Sequence, residues 1–222
     1  MTRQIILDTE TTGFKYSGGD RIVEIGAVEI VDRAKTGNNY HQYINPQMIV
    51  PPDVIAVHGL ATEFLIDKPV FSQIVDDFLE YIDGAEVIIH NATFDVNFLN
   101  SELKRIGGGR LGKLEDYCKI TDTLKLAKQI YPGKKNNLDA LCKRLEINDY
   151  DRDFHGALLD SEILGDVYLA MTGGQQKLNL EDEIKKQKLL LEEYKQDEPI
   201  KIKVVKATGF EQKEHNERIN LK

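Results

Sequence analysis

Asp8 and Glu10 stand two residues apart in the segment LDTETTG (Leu7 to Gly13), directly after an apolar run that reads as a strand. On an extended chain, residues i and i+2 share a face, so the two carboxylates are forced together. If the strand is central in a sheet, such a like-charge pair is costly to bury unless a cation lies between the groups. A site built from oxygen donors favours Mg²⁺ or Mn²⁺ over zinc. Taken alone, the pair is read as easily as a solvated strand end, so the chemistry needs further groups.

Two more motifs supply them. In HNATFD (His90 to Asp95) a strand ends and Asp95 opens a helix, a place where the helix dipole favours an acid in any case. In HGALLD (His155 to Asp160) a histidine precedes a helix and Asp160 sits about one turn inside it. Each has an ordinary reading by itself: a turn at Asn91, a solvent-facing aspartate, a loop histidine. Together they give four carboxylates and one histidine in the order Asp8, Glu10, Asp95, His155, Asp160, all near the ends of secondary-structure elements.

The elements that must position these groups follow from periodicity. Gln4 to Asp8, Ile22 to Val31 and Tyr40 to Ile44 read as strands separated by Gly, Asn and Asp turn signals, consistent with an antiparallel meander. From Val70 the period becomes helical, with Ile74, Val75, Phe78, Leu79 and Ile82 on one stripe, stopped by Gly84. Glu86 to His90 is a short strand. Phe94 to Ile106 is a helix ending in Gly107 to Gly109, and Lys119 to Asp122 is a fifth strand. Asn137 stands at the cap position of a helix carrying Leu138, Leu141, Cys142 and Leu145, and Gly156 to Met171 is another. Strands first, then alternating strand and helix, predict an α/β domain: a mixed five-stranded sheet flanked by helices.

Composition narrows the class. Among 222 residues the formal charge is −8, which argues against a protein that grips nucleic acid mainly through its own basic surface. Residues 1–174 carry 18 basic and 27 acidic side chains and residues 175–222 carry 11 and 10, so the acidity lies with the acidic motifs. Cys118 and Cys142 have no histidine at zinc-ligand spacing and suggest no disulfide framework. No stretch approaches the ~18 apolar residues of a membrane span, and the chain opens directly into a strand-like run. These features predict a soluble, cytoplasmic protein. After Thr172, Gly173 and Gly174 the chain becomes charged, with Glu181 to Gln196 helical in pattern and Ile200 to Val205 strand-like. Neither has enough apolar surface to fold alone, so residues 175–222 read as a C-terminal tail that orders on a partner.

The ordered motifs resemble those of the DEDDh 3′→5′ exonucleases over residues 3 to about 174. That resemblance implies a ribonuclease H-like fold and phosphodiester hydrolysis with two divalent cations, Mg²⁺ or Mn²⁺, about 4 Å apart at the attacking and leaving oxygens. It implies that Asp8, Glu10 and Asp160 ligate the metals, with Asp8 bridging, that Asp95 helps to position the second ion, and that His155 is the general base. In PPDVIAVHGL (Pro51 to Leu60), Asp53 and His58 match the positions that meet the terminal nucleotide in replicative proofreading exonucleases; Asp53 departs from the longer Glu expected there. Asp8, Glu10 and Asp160 would also meet the substrate phosphate, and Thr11 to Gly13 would bring backbone close to the nucleotide.

The layout beyond the domain extends the resemblance to the proofreading exonucleases of bacterial replicative polymerases. Gln175, Leu178 and Leu180 are similar to the Gln-x-x-Leu-x-Leu/Phe peptides that dock on the sliding clamp. The organisation implied is 1–174 exonuclease domain, 175–180 clamp-binding peptide, and 181–222 polymerase-binding tail, flexible when free, with Ile200 to Phe210 the contact region. The partners implied are a DNA 3′ end, the catalytic (alpha) subunit of DNA polymerase III, the sliding clamp (beta) and a small theta-like accessory subunit. Tethering by those partners accounts for an acidic nuclease, because it replaces intrinsic affinity with local concentration. Two rivals stay open on sequence alone: a stand-alone exoribonuclease that trims RNA ends, and a non-catalytic subunit that bridges polymerase and clamp.

Overall fold

The computed structural model describes residues 2–147, 150, 154–173 and 208–219. Ile5, Ile6 and Leu7 are fully buried although successive side chains point to opposite faces, so β1 (Arg3–Thr11) must be covered on both sides. It is. β2 (Ile22–Val31) buries every residue but its last and pairs antiparallel with β1. β3 (Ala34–Lys35) and β4 (Tyr40–Tyr43) both pair antiparallel with β2, and β5 (Glu86–Ile89) and β6 (Lys119–Asp122) run parallel to β1. The strand order is β3-β2-β1-β5-β6, with β4 beside β2.

Seven helices of the described residues surround this sheet: α1 (Pro52–His58), α2 (Thr62–Leu65), α3 (Phe71–Ile82), α4 (Thr93–Gly107), α5 (Thr123–Ile130), α6 (Leu138–Leu145) and α7 (Ala157–Gly173). The parity of β1 sorts its side chains between two layers. Ile5 and Leu7 pack with Phe78, Phe98 and Leu103 of α3 and α4, whereas Ile6 packs with Leu164 and Tyr168 of α7. Burial of those large side chains, at roughly 1.5–3 kcal/mol each, is what fixes α4 and α7 on opposite faces of the strand that carries the acid pair.

The predicted α/β architecture is observed, with differences of detail. The sheet has six strands rather than five; the extra β3 is two residues long, too short to show a period. β1 continues to Thr11, so Glu10 lies within the strand and not beyond its end. Asn137 occupies the cap position of α6, but its side chain makes no capping hydrogen bond. The helix α5 had no expectation: Asp122, read as a strand end, also caps it by accepting from the Leu124 and Lys125 N–H groups.

The chain divides into two units, Met1–Gly174 and Gln175–Lys222. In the second, an exposed helix spans Gly209–Ile219 with Phe210 at its start. The proposed helix at 181–196, the strand at 200–205, most of the 200–210 contact region, and Gln175, Leu178 and Leu180 lie outside the described residues.

Candidate active site

Asp8 and Glu10 project from β1 toward α7, on the face opposite to Leu7 and Thr9. Asp160 lies in the first turn of α7 and is almost fully buried, and His155, half-exposed, precedes that helix. His155 Nδ1 stands 3.2 Å from Asp160 Oδ2. Donor atoms of Glu10, His155 and Asp160 all lie within 4.8 Å of one another. Asp8 stands outside that tight trio but lines the same cleft, together with Thr9, His90, Asn91, Phe94, Asp95 and Leu138. Thus all five residues singled out in the three motifs converge from β1, the start of α4 and the start of α7.

Asp95 reaches the cleft from the other layer. It occupies the first turn of α4, is 3% exposed, and accepts a 2.7 Å hydrogen bond from the Thr9 hydroxyl. Thr9 therefore acts through the odd face of β1 while Asp8 and Glu10 act through the even face. The turn into α4 depends on Asn91, whose φ of 62° is one that asparagine tolerates better than most residues.

The electrostatics are those of crowded acids. Burial pushes the Asp8 carboxyl well above the usual carboxylate range, and the charges of Asp95, Glu10, Asp160 and Glu24 add to it. Burial likewise raises Asp95 to about 7, against the lowering effect of its hydrogen bond from Thr9. No Lys or Arg lines this cleft among the described residues. The donor set, carboxylates with one imidazole, is thus suited to hard divalent cations, whose charge would offset the mutual repulsion of the acids.

A second hollow adjoins it. Thr9, Glu10, Thr11, Gly13, Phe14, Asp53, Val54, Val57, His58 and Phe94 line a mostly apolar slot. Asp53 sits in the first turn of α1, whose helical course begins after Pro51 and ends at Gly59 with φ 75°, so its ordinary helical role and its place in the slot coexist. His58 is buried, and burial lowers its pKa. Its Nδ1 accepts the Leu60 N–H at 3.0 Å, which makes Nε2 the protonated nitrogen; no hydrogen-bond partner for Nε2 is found among the described residues. The His155 N–H donates to the Val57 carbonyl at 3.1 Å, which ties the histidine loop to α1.

Several contributors were not singled out from sequence. Phe14, 80% exposed, tilts against Phe94 with ring centroids 6.4 Å apart and presents an aromatic face at the slot; its signal was an aromatic directly after the Thr-Thr-Gly turn. Thr9 was hidden between the two acids. His90 is set by Thr123: its Nδ1 stands 2.9 Å from the Thr123 hydroxyl, which also reaches the Ile89 carbonyl. Arg21 makes a two-pronged pair with buried Glu102 of α4, at 2.6 and 2.9 Å, pinning the return of the chain after the acid pair.

Comparison with known proteins gives concordant matches. The exonuclease family model RNase_T matches residues 5–168. The chain is 55% identical over 182 residues to DNA polymerase III subunit epsilon of Salmonella typhimurium, covering 79% of this chain and 73% of that protein. It is 47% identical over 228 residues to the protein of the same name from Escherichia coli K12, covering all of this chain and 93% of the relative. Among solved structures, Exonuclease X in complex with 5′-overhanging duplex DNA superposes with a TM-score of 0.60 at 25% identity, covering 78% of this chain and 92% of that one.

Proposed function

The chain belongs to the exonuclease family, and from that premise we infer that it is the 3′→5′ exonuclease of a bacterial DNA polymerase III complex, removing mispaired 3′-terminal nucleotides during replication. The observation that carries the reading is the convergence of Asp8, Glu10, Asp95, His155 and Asp160 on one cleft beside a slot of apolar wall.

Asp8, Glu10 and Asp160 would hold two divalent cations, Mg²⁺ or Mn²⁺, with Asp95 positioning the second. When bound, these ions supply charge stabilisation for the attacking and leaving oxygens of an in-line displacement at phosphorus. The protein's own groups do the rest. His155, solvent-accessible at the mouth of the cleft, takes the proton of the attacking water, a task matched to an imidazole. The slot takes the terminal nucleoside: Val54 and Val57 give an apolar wall, Phe14 a stacking face, and His58 a further part of the lining. Asp53 stands at the slot's edge for a hydroxyl. Because the His155 backbone is bound to Val57, the general base and the nucleoside slot share one support, so a correctly seated 3′ end meets a placed base.

Residues 1–174 form the hydrolytic domain, 175–180 dock on the sliding clamp (beta), and 181–222 bind the alpha subunit. Delivery by these partners makes a basic surface dispensable. No helix among the described residues is long and apolar enough to cross a membrane.

The test follows Mg²⁺-dependent digestion of a 5′-labelled DNA primer, single-stranded or annealed with a matched or mismatched 3′ end, beside an RNA of the same sequence. Stepwise shortening that favours unpaired DNA ends and disappears in Asp8→Ala is expected. Faster trimming of RNA would transfer the reading to an exoribonuclease, and no shortening would leave only a bridging role.

A further inference from the structure

Glu24 is a buried carboxylate that the hydrolytic reading does not use. It lies on β2 directly opposite Glu10, two residues before Gly26, which is opposite Asp8. By strand parity its side chain shares the face of the acid pair, the face covered by α7. Only 3% of it is exposed, and both carboxylate oxygens are engaged. Oε1 is 2.7 Å from His41 Nε2 on the neighbouring β4, and Oε2 accepts the Ala157 N–H at 3.1 Å.

Ala157 is the first residue of α7, where N–H groups have no acceptor within the helix. The residue before it, Gly156, has no side chain with which to cap them. The sheet supplies the cap instead, and as an anion at the positive end of the helix dipole. Three residues on from this anchor is Asp160, and two residues back is His155. A second bond holds the same turn: the Ser161 hydroxyl donates to the Gly26 carbonyl at 2.8 Å.

We propose that Glu24 is a positioning residue for hydrolysis: clamped between His41 and the first turn of α7, its carboxylate sets the distance at which Asp160 and His155 face Asp8 and Glu10. It does so by reach, through one oxygen held at His41 and the other at the Ala157 N–H. The inference rests on the exonuclease reading above.

Three substitutions separate reach from charge. Glu24→Gln keeps an oxygen at the same height without the charge. Glu24→Asp keeps the charge but falls one methylene short of the Ala157 N–H. Glu24→Ala removes both. Each variant is assayed for kcat and KM on a single-stranded labelled primer at saturating Mn²⁺, for Mn²⁺ binding by calorimetry without DNA, and for folded fraction by melting. Glu24→Gln is expected to stay within about 5-fold of wild-type kcat. Glu24→Asp and Glu24→Ala are expected to lose on the order of 10²-fold in kcat with KM little changed, the usual consequence of ~1 Å misplacement, and to bind Mn²⁺ about 10-fold more weakly.

An active Asp variant beside an inactive Gln variant would assign Glu24 a charge role and overturn the proposal. So would wild-type kcat and Mn²⁺ affinity per folded molecule in all three. If Glu24→Ala does not fold, the Gln and Asp pair decides alone. A wild-type protein that binds Mn²⁺ yet shortens no primer would instead refute the functional reading on which the proposal rests.

Discussion

Placing a methyl group on Gly26 is the sharpest available perturbation of the site that touches none of its acids. A Cβ at that position would lie 2.1 Å from the Leu158 nitrogen, 2.2 Å from the Ala157 carbonyl carbon and 2.4 Å from the Ala157 oxygen. These are backbone atoms of the first turn of α7 and cannot rotate aside. Restoring an ordinary contact of ~3.5 Å requires the start of α7 to lift by about 1.4 Å. Overpacking of this kind costs roughly 1–3 kcal/mol, or on the order of 5 °C in Tm for a domain of this size. The catalytic loss should be larger in proportion, because Asp160 and His155 move with the lifted turn: about 10²-fold in kcat or more. Gly165 provides the control on the same helix. Its added Cβ would meet its nearest neighbour, the flexible end of Lys35, at 3.4 Å, so Gly165→Ala should leave kcat unchanged and raise stability by up to about 1 kcal/mol through helix propensity. Primer digestion and thermal melts on both variants make the comparison. Full activity in Gly26→Ala would refute the argument that α7 is docked on β2 at backbone distance.

Four further outcomes are expected. His155→Ala should lose about 10²- to 10⁴-fold in rate, measured by single-turnover digestion, while Mn²⁺ binding by calorimetry largely survives. Glu102→Ala should destabilise the domain by roughly 3–5 kcal/mol in denaturant titration, because it leaves Arg21 buried without its partner; a change under ~1 kcal/mol would mean the pair is not the pin it looks to be. Asp95 holds its proton more tightly folded, at about 7, than unfolded, near 3.8, so the metal-free protein should lose stability as pH rises through that interval, by up to about 4 kcal/mol from this group. Melts in chelator at pH 5 and pH 8 should show a smaller loss for Asp95→Asn than for wild type, and an identical loss would contradict the assignment. Replacing Leu178 and Leu180 by Ala should abolish retention on immobilised sliding clamp and leave digestion by the free protein unchanged.

The acids were legible in the sequence because chemistry restricts their types and because strand parity places Asp8 beside Glu10. The α/β order was legible because β2 is a near-continuous apolar run and α3 carries a clean helical period. What escaped depends on which element packs against which. Thr9 reads as a spacer until α4 is known to lie on its face. Glu24 interrupts an apolar, fully buried strand, which is a signal of a satisfied charge, but its partners come from β4 and α7, distant in sequence. Phe14 acquires meaning only when α1 folds against the turn after β1 and closes the slot beside it. The eight residues of α5 follow β6 without a break, so Asp122 served two elements at once and only one was read.

The division of β1 between its faces bears on how such a chain can change over generations. Ile5, Leu7 and Thr9 belong to one layer, and Ile6, Asp8 and Glu10 to the other. Loss or gain of a single codon within this strand would exchange the two sets, turning carboxylates into the apolar layer under α4 and setting Leu7 before α7. Changes of two codons would keep the faces but shift the acids by about 7 Å along the sheet, beyond the reach of Asp160. Length variation is therefore expected to accumulate in the connections 15–20 and 36–39, outside the slot and β3, and to be purged from Arg3–Thr11, and any lineage that does alter this strand should lose folding and hydrolysis in the same step.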